Sequence, residues 1–369
     1  MTPLAVAAWF MVTPLGEGEA TIDALFEGRS ALSPRASAGK LRNDLVAAMP
    51  GRPREAERDG QWQRYLGTYV TRGILDALPP EVAIRADRCA FVFATSFGHL
   101  LDDPGEDTMS TWARDCVLAA GYDLHPVVVG SGCSSGSDAL GVAAALLNSE
   151  AVDMAIVVAV DIATEAKRLA HSALGTMAAD SLRPFDINRS GMLPGEAAAA
   201  VALMRSGDCP VRMGELIGVG AANDAFGLTA PDPSGLSVRL ALDRALQAAG
   251  LMHGDLALYF AHGTGTRLND EVEAKVIGDV FAGNAGLAVV GTKGALGHAL
   301  GVCGLVEFIL LLQMLNRKRV PATAGLIDPM EGMAGRCAAA EGRTLGGPCG
   351  VSVTLGFGGF NTALIARAA

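Results

Sequence analysis

No CxxC pair occurs in this sequence, and its seven cysteines follow no framework spacing. An odd set of that kind excludes a disulfide scaffold and reads as reduced thiols in a cytoplasmic protein. HExxH and tightly spaced ligand sets are missing too, so no metal site is expected. Charge is sparse: 18% of residues are charged, with 39 acidic against 29 basic side chains and a net charge of −10. That balance argues against general nucleic-acid binding. The start, MTPLAVAAWFMVTPLG, lacks the basic segment of a signal peptide. The most apolar helical stretch, 301–315, is about 15 residues long and contains Glu307, which is too short to span a bilayer. A soluble protein with no membrane span is expected. Short-period repeats and low-complexity segments are likewise absent.

Half of the 369 residues are apolar and 46 are glycine, which suits tightly packed α/β layers. Periodicity and turn signals predict a strand over 4–12, a short helix over 21–28, a loop excursion over 30–60 and a helix over 61–78. A strand is predicted at 90–95. Then a βαβ unit runs through a strand at 126–129, a helix at 134–148 and a strand at 155–160. The second half repeats this plan. It has a helix over 238–249, a strand over 256–261, a loop over 262–269, a helix over 270–281 and a strand over 287–290. A loop over 291–297 and a helix over 299–316 follow, and strands at 351–356 and 361–365 close the chain as a hairpin around GFGG. Two α/β halves of similar grammar, 1–206 and 207–369, suggest an internal duplication.

Cys133 lies in VVVGSGCSSGSDALGVAAALL, between a strand and a helix. At a helix start the peptide dipoles favour a thiolate, so the reading is a reactive nucleophile beside N–H groups able to hold an oxyanion. The competing reading is a buried structural thiol. His262 opens HGTGT and His298 sits in KGALGHALG, both after short apolar runs. Imidazoles in glycine-rich turns can donate to a thioester carbonyl or move a proton. Each by itself also fits a hydrogen-bonded core histidine. Thr264 and Thr266 add hydroxyls, Lys293 precedes His298 by five residues, and Glu307 follows it by nine.

These segments resemble the β-ketoacyl synthase family of condensing enzymes. The resemblance runs from LAVAAWFMVTPLGEGEATIDALFEGRSAL through SGCSSG, RPFDINRSGMLPGEAAAAVAL, NDAFGLTAPDPSG and AHGTGTRLNDEVEA to VGTKGALGHALGVCGLVE and LGFGGFN. HGTGT, KxxxGH and GFGG in that order are specific as a set. Cys, His and His match the elongating type rather than the Cys-His-Asn type. The resemblance implies a thiolase-like fold whose two pseudo-duplicated halves form a layered α-β-α-β-α core.

It also implies decarboxylative condensation of an acyl thioester with a malonyl-carrier protein, in polyketide or specialised fatty-acid synthesis. On that reading Cys133 takes the acyl chain, while His262 and His298 hold the malonyl thioester carbonyl. The amides of Cys133 and Phe357 form the oxyanion hole. Lys293 and Glu307 support the site, and Asp270 and Glu273 are structural. Thr264, Thr266, Gly358, Gly359 and Phe360 line the pantetheine and substrate path. No cofactor of its own is expected, since the phosphopantetheine arm belongs to the acyl carrier protein. A homodimer, or a heterodimer with a related chain, is implied as well.

Arg52, Arg54, Arg58, Arg64 and Arg72 cluster around the second helix, and Arg58 and Arg64 are the expected carrier-docking pair. Four departures from the family pattern stand out: a short stretch between Gly98 and Cys133, Phe360 in place of Thr, Val353 in place of Asn, and GEAA around Glu196. The first two bear on the acyl pocket and its gate. Alternative activities are acyl transfer onto an alcohol or amine without decarboxylation, and service as one subunit of a ketosynthase/chain-length-factor pair.

Overall fold

The computed structural model describes residues 1–96, 99–102, 108–338 and 341–369. Its first half contributes strands β1 (Leu4–Thr13), β2 (Cys89–Ala94), β3 (Val127–Val129), β4 (Met154–Asp161) and β5 (Ala197–Arg205). The second contributes β6 (Glu215–Asn223), β7 (Leu258–Phe260), β8 (Ala288–Val290), β9 (Cys349–Leu355) and β10 (Phe360–Arg367). They join in the order β8-β7-β9-β10-β6-β1-β5-β4-β2-β3. Read outward from the centre, one half is 1-5-4-2-3 and the other is 6-10-9-7-8. The pairing senses match as well: the inner strands are antiparallel, while β2 lies parallel between β3 and β4 as β7 does between β8 and β9. The duplication read from the sequence is thus a pseudo-twofold arrangement of strands.

Alternate strand residues feed different cores, as the period of two requires. In β4, Ala155, Val157 and Ala159 pack inward against α4 (Ser135–Asn148) and α9 (Cys303–Asn316). Met154, Ile156 and Val158 pack outward against α2 (Asp59–Asp76) and α3 (Met109–Ala119). In the other half-sheet the outer face is covered by α6 (Leu236–Ala249) and α7 (Arg267–Val280). The layers therefore run α-β-α-β-α, with α4 and α9 in the middle. Among the described residues no helix is long and apolar enough to cross a membrane.

Several elements differ from the sequence reading. The stretch AAAAVALMR forms β5, although alanine favours helices; burial on both faces selects small side chains and overrides that propensity. Strand β6 and helix α5 (Glu165–Ala173) were not anticipated, because neither carries a clean apolar period. Segment 291–297, expected as a loop, contains the short helix α8 (Lys293–Leu296), and α7 begins three residues earlier than expected. The 30–60 excursion is irregular apart from a small strand pair (Ser33–Pro34 with Leu45–Val46) and one turn of 3-10 helix. The Gly98 end of the shortened stretch lies outside the described residues.

The two central helices approach closely through glycines. A β-carbon at Gly136 would lie 2.8 Å from the Leu305 nitrogen, and one at Gly304 would lie 1.9 Å from Ser137 Oγ and 2.7 Å from its backbone nitrogen. Backbone cannot give way as a flexible side chain does. Gly304→Ala is therefore expected to destabilise the fold by about 3 kcal/mol or more. Gly207→Ala, with nothing within 4 Å of the added carbon, should leave the urea midpoint nearly unchanged. Equal midpoints for the two variants would show that this helix contact is not tight.

Candidate active site

Several chain segments converge on one cavity of about 540 Å³, lined by Cys133, His262, His298 and Phe357 among others. Cys133 sits where β3 gives way to α4. Gly132 turns the chain at φ 66°, and the Ser135 hydroxyl accepts from the Ser131 N–H at 2.9 Å. His262 and His298 occupy the corresponding exits in the other half, after β7 and β8. By the pseudo-twofold, Cys133 and His298 are counterparts, each between the outermost strand of its half and a central helix.

The HGTGT loop is anchored from below. The Glu273 carboxylate accepts from the N–H groups of His262 (2.7 Å) and Gly263 (2.8 Å), and Asp270 accepts from Phe185 (2.8 Å) and Gly265 (3.2 Å). Both acids are fully buried, and burial pushes their carboxyls up, to about 8 and about 6. Neither lines the cavity. Their work is to hold backbone.

The imidazoles are fixed by donors on Nδ1. Lys293 Nζ lies 3.2 Å from His262 Nδ1, donates to the His262 carbonyl at 2.5 Å, and pairs with Glu307 at 2.5 Å. Burial opposes charge on Lys293, but Glu307 raises its pKa and keeps the ammonium protonated. An ammonium has only protons to give, so His262 Nδ1 accepts and Nε2 carries the hydrogen. His298 Nδ1 receives the Leu300 N–H at 3.0 Å and has the Cys303 thiol at 3.2 Å, which sets the same tautomer. Leu300 reaches that donor position only with φ at 52°, a left-handed conformation costing roughly 1–2 kcal/mol for a non-glycine residue.

Its neighbour is held too. The Gly301 N–H donates to Asp161 at 2.7 Å, and Asp161 is paired with buried Lys167 at 2.6 Å. Burial first, and Lys293 second, hold both imidazoles well below the usual histidine range, so both are neutral. Their rings lie 5.3 Å apart and nearly perpendicular. The cavity thus contains two fixed Nε2–H donors and one thiol.

The thiol itself departs from expectation. Burial pushes Cys133 up to about 11, and the Phe357 N–H together with Lys293 and Lys167 only partly offset it. The resting group is a thiol, not the thiolate that its helix-start position suggested, because loss of water outweighs the peptide dipoles at a buried sulfur.

Thr264 and Thr266 line the cavity with their hydroxyls 2.9 Å apart, and Gly358 and Gly359 line it at φ 82° and 79°. Phe360 does not. Strand alternation buries Asn361 against Ser237 and turns Phe360 outward, 46% exposed, into a shallow surface groove with Asn223 and Arg244. Its expected place on the pantetheine and substrate path, as a bulky ring beside the gate, is corrected accordingly.

The arginine cluster is also elsewhere. Arg64 pairs with Asp115, Arg52 with Asp59, and Arg72 donates to the Ala119 carbonyl, so these side chains tie down α2, two of them onto α3. Arg58 begins α2, its N–H capped by the Gln61 side chain. Neither Arg58 nor Arg64 lines the cavity, where Arg42 and Arg267 stand instead. Val353 is buried in β9, and Glu196 binds Arg35 and the Met49 N–H away from the cavity.

Sequence reasoning missed His171, Arg42, Asp161, Lys167 and Cys303. Lys167 and His171 share one face of α5, which is buried, and nothing local in the sequence marks that face. Among the described residues no group of three His, Cys, Asp or Glu side chains is placed to hold a metal ion.

A five-layer core built from two pseudo-equivalent α/β halves is the thiolase-like fold. Residues 1–208 match the family described as "Beta-ketoacyl synthase, N-terminal domain", and residues 213–326 match "Beta-ketoacyl synthase, C-terminal domain". The chain belongs to the β-ketoacyl synthase family. It is 32% identical over 246 residues to 3-oxoacyl-[acyl-carrier-protein] synthase 2 of Mycobacterium bovis, covering 63% of this chain and 59% of that protein. The protein of the same name from Mycobacterium leprae is 33% identical over 251 residues, covering 63% and 58%. These matches span less than two thirds of the relatives' length.

Among solved structures, a β-ketoacyl synthase from Burkholderia phymatum STM815 superposes with a TM-score of 0.83 at 23% identity, covering 100% of both chains. AntDE:AntF, a type II PKS acyl-carrier protein in complex with its ketosynthase bound to the hexaketide, gives 0.88 at 19%, covering 100% of this chain and 99% of that one.

With its pKa near 11, the Cys133 thiol of the free protein should react with iodoacetamide slowly at pH 7. The rate should rise about tenfold per pH unit across the accessible range, because only the thiolate attacks. Peptide mass spectrometry of the Cys133 adduct measures this, and a plateau below pH 8 would contradict a buried, protonated thiol.

Proposed function

We propose that this protein is a 3-oxoacyl-[acyl-carrier-protein] synthase that joins an acyl thioester to a malonyl unit with loss of CO₂. The observation that carries the reading is the pair of neutral imidazoles, each with Nε2–H fixed toward a cavity that also holds Cys133. Decarboxylation of a malonyl thioester leaves an enolate, with negative charge on the thioester oxygen. Two preorganised neutral donors in a site shielded from water stabilise that charge as it develops, a contribution of roughly several kcal/mol.

The first half-reaction is acyl exchange. Cys133 sulfur bonds to the acyl carbonyl carbon, the carrier thiol leaves, and the proton lost by Cys133 ends on that thiol. Phe357 N–H and the Cys133 amide hold the oxyanion of the tetrahedral intermediate. In the second half-reaction the malonyl carboxylate departs as CO₂. The enolate carbon bonds to the acyl carbon, and Cys133 leaves as thiolate and takes up a proton. Lys293, charged against Glu307, keeps His262 in the donating tautomer, and Leu300 and Cys303 do this for His298.

Thr264 and Thr266 bind the amides of the pantetheine arm, and Gly358 and Gly359 let it pass close to backbone. The arm comes with an acyl carrier protein, so the chain needs no cofactor of its own. The catalytic halves divide at 206/207, between β5 and β6. A paired chain, identical or related, completes the assembly, in keeping with a solved relative described as the ishigamide ketosynthase/chain length factor. Polyketide or specialised fatty-acid synthesis is the setting, and the cytoplasm the compartment.

Incubation with acyl-carrier and malonyl-carrier tests this by intact mass and CO₂ release. Wild type should carry an acyl group on Cys133 and yield a β-ketoacyl product, and Cys133→Ala should carry none. His262→Ala and His298→Ala should still be acylated, with CO₂ release lowered about 10²–10³-fold. Acyl transfer without CO₂ would point to ester or amide formation, and absence of any adduct to a non-catalytic subunit.

A further inference from the structure

A third imidazole faces the same cavity, and neither half-reaction uses it. His171 lies on α5, 91% buried by its 9% exposure, and lines the wall with Thr176 and Ser190. Its Nδ1 is 2.9 Å from the Thr176 hydroxyl, which fixes the ring's orientation. Nε2 has no hydrogen-bond partner among the described residues. It is open to the cavity, where a ligand that displaces water must offer it a partner or leave it unpaired.

The ring is also placed close to the chemistry. It packs against the Phe357 ring, centroids 5.9 Å apart, and Phe357 is the residue whose N–H meets Cys133 sulfur. Thr264 and Thr266, from the other half of the fold, line the same cavity. Through that contact with Phe357, His171 borders the thioester end of whatever Cys133 carries. Burial and Lys167 hold its pKa down to about 4, so the ring is neutral, and a neutral ring favours an uncharged oxygen over a carboxylate.

We infer that His171 is a specificity-determining residue whose Nε2 hydrogen-bonds a hydroxyl or keto oxygen near the thioester end of the acyl group on Cys133. The inference rests on the reading of Cys133 as acyl acceptor. It makes this site selective for partly processed, oxygen-bearing acyl chains over fully reduced ones. A hydrocarbon there leaves Nε2 unpaired and dry, whereas an oxygen satisfies it, and a site built to pair a polar group discriminates strongly against its absence.

The test compares two small probes on the purified full chain, butyryl and 3-hydroxybutyryl N-acetylcysteamine thioesters, by the rate of acyl adduct formation on Cys133. Wild type should favour the 3-hydroxybutyryl probe by about tenfold, the effect of one hydrogen bond of about 1.4 kcal/mol. His171→Phe should bring the ratio near one, and His171→Gln should restore part of it. Thermal melts of both variants identify any that has lost its fold, and a folded Gln variant carries the test if Phe does not fit. A wild-type ratio of one overturns the assignment. So does a His171→Phe ratio unchanged from wild type, or an equal slowing of both probes, which places the ring on the shared arm. If neither probe acylates wild type, the acyl-acceptor reading falls, and this inference with it.

Discussion

The close packing of α4 against α9 at Gly136 and Gly304 is the constraint on which the site depends. Cys133 lies at the start of one helix and His298 just before the other, so their separation follows from how near the two helices come. A methyl group between them would push apart the two loops that meet at the cavity. The pseudo-twofold strand order delivers these helices to the middle layer from either side, and burial on all sides makes the contact stiff. Function and packing are the same problem here.

Stiffness is matched by control of protons. The site buries Lys293, Glu307, Asp161, Lys167, Asp270 and Glu273 around three imidazoles, an arrangement stable only because each charge finds a partner. The outcome is simple at the reacting atoms. His262 and His298 are neutral donors, and Cys133 is a neutral thiol until substrate arrives. Burial, reinforced by Lys293, is what keeps both histidines from becoming cations themselves. Leu300, strained to bring its N–H to His298 and backed by Gly301 on Asp161, links the second histidine to a separate ion pair in the first half.

Much of this was legible in the chain. The βαβ rhythm, the strand-exit positions of Cys133, His262 and His298, and the threonines of HGTGT all follow from local period and glycine placement. Other features were not. Phe360 looked like a ring beside the gate because it follows GFGG, yet strand alternation turns it outward. Nothing local foretold that α2 would pack onto α3 with Arg64 paired to Asp115. His171 gave no local signal, since nothing in EAKRLAHSA says which face of that helix meets the cavity.

Sequence by itself determined the class of parts: a thiol at a helix start, two imidazoles in glycine turns, and a lysine and a glutamate at fixed offsets from the second. Local backbone preference reaches a few residues, and those choices lie within its range. Tertiary structure decided protonation and access. Whether Cys133 rests as thiol or thiolate depends on how much water surrounds it, and only burial in the folded pocket fixes that. Which nitrogen of His262 points at substrate depends on Lys293, distant in the chain and brought against the ring only by folding. The third histidine joins them because α5 reaches the cavity from the other half of the molecule, a distance that no local rule spans.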